Sequence, residues 1–250
     1  MNIGAVPYWN VRPLIYGIED RVTLLEPAAL ADAMHRRQLD AGMVPLAEVL
    51  AHDQYDVLDG IAIAARGAVR SVFLAHRVPL TELRRVAVTP ASRTSVWLLH
   101  VLFQLRTGRV PVFYPKPPGA KLSEHEAMLL IGDEALRYAW RNGERAVWDL
   151  GAAWVEQTGL PFVFAVWAFQ RGLAGGLPAV LRQAKAAGLA HLEEIVQNAT
   201  DAAPELLREY YARCVWYDLD DAAKEGIRRF QRYLQEFGLI QRSHDLRYIA

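Results

Sequence analysis

Three short stretches of this 250-residue chain carry residues able to hold an anion. The first is Ser92-Arg93-Thr94-Ser95, three hydroxyls and a guanidinium at the predicted start of a helix. There the free N–H groups of a first helical turn, the helix dipole and the hydroxyls converge on a carboxylate or phosphate, and Arg93 adds charge. Plain N-capping by Ser92 accounts for the same residues equally well. The second is the turn Pro7-Tyr8-Trp9-Asn10. Asn10 can donate two hydrogen bonds to a carboxylate and accept another, or can serve as an Asx-turn former. Tyr8 and Trp9 either stack on a ligand or pack into the core. The third is Gly132-Asp133. Asp133 reads as a helix N-cap, and Gly132 as a point where backbone can approach a ligand closely.

Other chemistries find no support in the residue spacing. The histidines at 35, 52, 76, 100, 125, 191 and 244 are scattered, with no H-E-x-x-H or other metal-ligand spacing. His35, next to Arg36 and Arg37, reads as solvated, and His76 and His100 as packing or surface residues. No G-x-S-x-G elbow, P-loop or G-x-G-x-x-G occurs. An enzyme built on this chain is therefore expected to use no metal and no cofactor. The single cysteine, Cys214, excludes an intramolecular disulfide framework and a cysteine zinc site, and reads as a small buried hydrophobe. Lys+Arg and Asp+Glu both number 28, so no bulk field recruits nucleic acid or an anionic membrane. Neither is expected as a partner; a homodimer is compatible with the sequence.

The elements that position these stretches follow from the hydrophobic pattern. Short apolar runs at 3–6, 41–44, 86–88 and 128–131 read as strands, each followed by a helical pattern or a turn leading to one. A helix is expected from about Pro13, another over 29–38, and one after Ser92 with Val96, Leu99, Leu102 and Phe103 on its buried face. Strands alternating with helices argue for α/β architecture with parallel sheets. All three candidate stretches follow strands, where open α/β sheets bind ligands. Two β-rich runs, 71–76 and 162–169, break this rhythm and bracket a middle α/β segment; beyond 172–176 the chain reads as wholly helical. The expectation is two α/β lobes joined by two crossing hinge strands around a ligand cleft: residues 1–76 and 170–250 in lobe 1, residues 77–169 in lobe 2. A single doubly wound sheet is the alternative. With 52% hydrophobic residues the chain can bury a sizeable core, yet no run reaches the roughly 18 apolar residues of a membrane span. The N-terminus has no basic segment followed by a long apolar one, so a cytoplasmic location is expected.

Several motifs taken together carry a family resemblance. Val6-Pro-Tyr-Trp-Asn-Val-Arg-Pro-Leu14 resembles the Y-x-N-x-x-P-L opening of the cytoplasmic enzymes of the futalosine route to menaquinone. Gly67-Ala-Val-Arg-Ser71, the 86–95 stretch ending in Ser-Arg-Thr-Ser, the 129–136 stretch around Ile-Gly-Asp, and 149–167 are similar to the chorismate dehydratase branch of that group. The resemblance implies a type II periplasmic-binding-protein-like fold and the loss of water from chorismate to give 3-[(1-carboxyvinyl)oxy]benzoate. It implies Asn10 and Ser71 as the residues positioning the enolpyruvyl carboxylate, and Ser92, Thr94, Ser95, Gly132 and Asp133 as substrate contacts. The sister enzyme, 1,4-dihydroxy-6-naphthoate synthase, and a non-enzymatic anion-binding protein of the same fold are the rival readings. Two positions depart from the family pattern. Trp9 stands where Leu or Phe is expected, and Thr89-Pro90 where an acidic residue is common.

Overall fold

The computed structural model describes residues 1–89, 92–142, 147–200 and 202–250. Two mixed sheets form its frame. The first has six strands in the order β11-β4-β10-β3-β1-β2, with β1 at Ile3–Ala5, β2 at Val22–Leu24, β3 at Ala41–Pro45, β4 at Tyr55–Ala65, β10 at Phe162–Gln170 and β11 at Arg247–Ile249. The second has five in the order β7-β6-β8-β5-β9, with β5 at Val72–His76, β6 at Arg85–Val88, β7 at Val112–Pro115, β8 at Ala127–Ile131 and β9 at Val147–Asp149.

The expected parallel sheets are corrected in one strand each. In the first sheet β10 runs antiparallel to both β3 and β4, while the other pairings are parallel. In the second, β5 runs antiparallel to β8 and β9. These are the two runs that broke the strand–helix rhythm. Each enters its sheet from the other one rather than by a crossover from a neighbour in its own sheet, so no crossover unit imposes the parallel direction. The chain leaves the first sheet after β4 through residues 66–71 and returns through 159–161. Because Phe162 pairs with Ala65, the two crossings lie side by side. Sheet membership therefore divides the chain differently from the expected lobe limits at 76/77 and 169/170: β5 lies wholly in the second sheet and β10 wholly in the first.

Period-two alternation explains why β5 and β8 are apolar throughout. Val72 and Leu74, with Leu129 and Ile131, face the main core. Phe73, Ala75, Met128 and Leu130 face a second cluster closed by Ala135, so both faces of this sheet are buried. The helices start and stop as capping rules dictate. Helix α1 (Pro27–His35) opens on proline, and α2 (Leu46–Ala51) follows β3 directly. Helix α3 (Arg93–Thr107) is capped by Ser92, whose oxygen accepts from the Ser95 N–H at 3.2 Å, and ends at left-handed Gly108. Helix α4 (Gly132–Asn142) continues straight from β8. Asp149 caps α5 (Leu150–Thr158) through Ala152 and also takes the N–H groups of Val69 and Arg70, pinning the outgoing crossing. Burial raises the pKa of this carboxyl, and those backbone donors oppose the rise.

The C-terminal part is helical as expected: α6 (Leu177–Ala190), α7 (Leu192–Gln197), α8 (Pro204–Arg213) and α9 (Asp221–Glu236). It then adds β11 to the first sheet beside β4, which the hydrophobic pattern did not foretell. The expected helix at Pro13 is a 3-10 helix over Trp9–Leu14, so Asn10 lies inside it rather than before it. Helix α6 packs on this segment so closely that a Cβ on Gly188 would lie 2.0 Å from the Pro13 carbonyl oxygen. Among the described residues, no helix is long and apolar enough to cross a membrane.

Candidate active site

The carboxyl ends of β1, β3 and β8 and the N-terminus of α3 meet in a cleft between the sheets. Its inner chamber is walled by Val6, Met43, Ile63 and Phe164 and offers polar groups from Tyr8, Asn10, Ser71, Ser92 and Ser95. No charged residue lines it among the described residues.

Asn10 is held by its own backbone. Its carbonyl accepts from the Tyr217 hydroxyl at 2.9 Å, and the neighbouring Trp9 carbonyl accepts from Tyr211 at 2.8 Å. With the main chain fixed, the Asn10 side chain is positioned toward the chamber. Its buried Oδ1 has no hydrogen-bond partner, a cost of about 1–3 kcal/mol that a donating ligand would relieve. Ser71 ends the outgoing crossing and is 2% exposed. Its Oγ accepts from the Tyr210 hydroxyl at 3.0 Å, which leaves the Ser71 proton available to a ligand. Burial pushes Tyr210, Tyr211 and Tyr217 well above the ordinary phenol range, so all three remain hydrogen-bond donors at neutral pH.

Ser92 and Ser95 face the chamber together, their hydroxyls 2.8 Å apart, at the positive end of α3. The other two residues of that stretch point elsewhere. Thr94 is 1% exposed and accepts from the Ala47 N–H at 2.9 Å, joining α2 to α3. Arg93 is exposed and reaches a separate outer cavity. Pro90, in the segment that departs from the family pattern, lies outside the described residues, as does Ala91.

The remaining expectations divide in the same way. Tyr8 lines the chamber, and its ring occupies the space left by the missing side chain of Gly132 (φ 58°), where a Cβ would sit 3.0 Å from it. The Gly132 N–H donates to the Ser71 carbonyl at 2.7 Å, so this glycine orders the site's backbone. Asp133 accepts from the Trp9 N–H at 3.1 Å, fastening α4 to the 3-10 segment from inside the first turn. Trp9 does not face the chamber. It is fully buried, stacked on Trp140 at 5.3 Å with the Arg137 guanidinium 5.2 Å from its ring centre. A stacked pair of this kind contributes about 0.5–1.5 kcal/mol. The larger indole thus glues the first segment to α4 rather than reshaping the pocket wall.

The outer cavity measures about 320 Å³ and shares Pro27 and Pro45 with the inner chamber. His35, Glu48, His52 and Arg93 line it. Although their spacing in the chain suggested no relation, the His35 and His52 rings lie 4.7 Å apart, centre to centre. Burial lowers the His52 pKa, and Glu48 opposes that shift. His76 bonds the Val78 carbonyl, and His100 packs edge-on against Phe113, as packing residues do.

Tyr210, Tyr211 and Tyr217 are the site residues the sequence reading missed. The only signal was an aromatic-rich Tyr-Tyr-x-x-x-Val-Trp-Tyr run in a segment read as generic helix.

The menaquinone biosynthesis family profile matches residues 1–236. A chorismate dehydratase from Thermus thermophilus is 32% identical over 256 residues, spanning 93% of this chain and 94% of that protein. A 1,4-dihydroxy-6-naphthoate synthase from the same organism is 31% identical over 243 residues, spanning 89% and 87%. Among solved structures, an Archaeoglobus fulgidus protein superposes with a TM-score of 0.74 at 17% identity, covering 95% of this chain and 98% of that one. The periplasmic aliphatic sulphonate binding protein of Escherichia coli gives 0.63 at 15% identity, covering 98% and 89%. The fold is thus periplasmic-binding-protein-like, as the two-lobe reading expected. With residues 1–236, through the end of α9, matched by one profile, the chain belongs to the menaquinone biosynthesis family and is a homologue of chorismate dehydratase.

Proposed function

We propose that this chain is a hydro-lyase that removes water from chorismate, giving 3-[(1-carboxyvinyl)oxy]benzoate, and that it acts in the cytoplasm. The observation that carries the reading is the inner chamber, an apolar and uncharged space with an amide and three serine hydroxyls converging on it. Chorismate is a dianion with a largely hydrocarbon six-membered ring, and such a lining offers its carboxylates neutral donors and its ring apolar walls.

In this reading the Ser71 hydroxyl and the Asn10 amide N–H groups hold the enolpyruvyl carboxylate. That carboxylate takes the ring proton from the carbon bearing the ether oxygen. The adjacent ring C–O bond breaks with its electron pair on the oxygen, the enolpyruvyl carboxyl passes the proton it has taken to that oxygen so that it leaves as water, and the electrons of the broken C–H bond form the third ring double bond. Aromatisation supplies the driving force. The protein's task is to hold the reactive pose and exclude bulk water. Ser92 and Ser95, with the helix dipole behind them, receive the ring carboxylate. The chamber encloses about 70 Å³, below the ~300–1,000 Å³ usual for ligand pockets. The lobes therefore stand farther apart when substrate is bound than they do here. Contacts across the cleft include the hydrogen bonds of Trp9 to Asp133 and Ala47 to Thr94, each worth about 0.5–3 kcal/mol, and the Trp9–Trp140 stack.

The test is incubation of the purified chain with chorismate alone, following the mass of the product. Conversion to a species lighter by one water supports the assignment. Unchanged chorismate in the presence of folded protein rejects it.

A further inference from the structure

Outside the inner chamber, three side chains with no part in the proposed reaction meet at one point. His35 is the last residue of α1, while Glu48 and His52 stand four residues apart on α2 and at its end, hence on one face. Their donor atoms all lie within 4.8 Å of one another, and His52 Nε2 is already 3.8 Å from Glu48 Oε1. A tetrahedral zinc ion with ligands at about 2.0–2.1 Å needs donors roughly 3.4 Å apart. Small rotations of the exposed His35 and half-exposed His52 side chains close that gap.

From this geometry we propose that His35, Glu48 and His52 form a divalent-metal site of the zinc class at the mouth of the cleft. The ligand set is two imidazoles and one carboxylate, with a fourth position left for water or an anion. The buried member is the carboxylate: Glu48 is 6% exposed and accepts the Tyr55 hydroxyl at 2.9 Å. A hydroxyl donating to the carboxylate in this way fixes the orientation of a ligating oxygen. Of the two carboxylates lining the cavity, Asp32 is paired with Arg36, so Glu48 is the one that faces a cation at this point. Arg93 comes from α3, on the far side of the cleft from the three ligands. An anion on the fourth position therefore faces a cation from the other lobe, and the site would bridge the lobes only when such an anion is present.

The site is tested with the untagged full chain dialysed against EDTA and titrated with Zn²⁺ by calorimetry, with Co²⁺ as a visible-absorption probe. The expected result is one equivalent of Zn²⁺ and an intense tetrahedral Co²⁺ band. His35→Ala and His52→Gln should each weaken binding at least tenfold. Both are outside the inner chamber, and circular dichroism with a thermal melt in EDTA confirms that each variant is folded. Absence of saturable uptake by the wild-type chain overturns the proposal. So does uptake that both variants retain, since the metal then sits elsewhere.

Discussion

The two chambers of the cleft share a wall at Pro27 and Pro45, yet they are built from opposite materials. The inner one presents hydroxyls and an amide among apolar walls, with Ser71 held by Tyr210 and the backbone of Asn10 held by Tyr217. The outer one presents ionisable side chains: His35 and His52 at the ends of α1 and α2, the exposed Arg93, and the buried Glu48. Fixed neutral donors suit a site that must receive an anion and stay in place as the reaction proceeds, because no side chain has to be desolvated at that moment. Solvated ionisable groups suit a reversible ligand. On the two proposals above, the difference separates chemistry from recruitment within one groove.

Substitutions on the two sides sharpen or break this contrast. Asn10→Ala, at the inner chamber, should lower the turnover of chorismate at least about tenfold, a loss of about 1.4 kcal/mol of transition-state stabilisation. Its melting temperature should stay close to wild type, because the backbone carbonyl of residue 10 still accepts from Tyr217. Steady-state kinetics and a thermal melt check both. Tyr210→Phe removes the donor to Ser71 without opening a cavity. One hydrogen bond is worth about 0.5–1.5 kcal/mol, so kcat should fall about threefold to tenfold with KM little changed. A rise in KM alone would make Tyr210 a packing residue. His35→Ala, in the outer chamber, should leave turnover within twofold of wild type. A tenfold loss there would merge the two chambers into one reacting site.

The sequence made one part of this site readable and hid another for geometric reasons. Asn10 and the Ser92 helix start were legible because strand ends followed by turns are where α/β folds place ligands. The four residues from Ser92 to Ser95 were read as one unit, and a helix cannot present four successive side chains to one side. Positions three apart share a face, so Ser92 and Ser95 meet in the chamber while Arg93 and Thr94 turn away. Trp9, left between stacking on a ligand and packing into the core, takes the second role for a related reason. In the tight 3-10 segment its side chain diverges from those of Tyr8 and Asn10 and enters the core. The direction of β5 and β10 was hidden because alternation is blind to strand polarity. Local pattern also could not reveal the pairing of Tyr210 with Ser71, 139 residues apart, or the meeting of His35 with His52 across two helices. Such contacts depend on how elements pack and leave no periodic trace.

The most direct test of the central claim, that the uncharged inner chamber dehydrates chorismate, is a side-by-side mass-resolved assay of wild type and Asn10→Ala with chorismate as sole substrate. The account predicts that wild type yields the product lighter by one water and that the variant forms it at least about tenfold more slowly. Chorismate left intact by folded wild-type protein, or equal rates in the two, would contradict it.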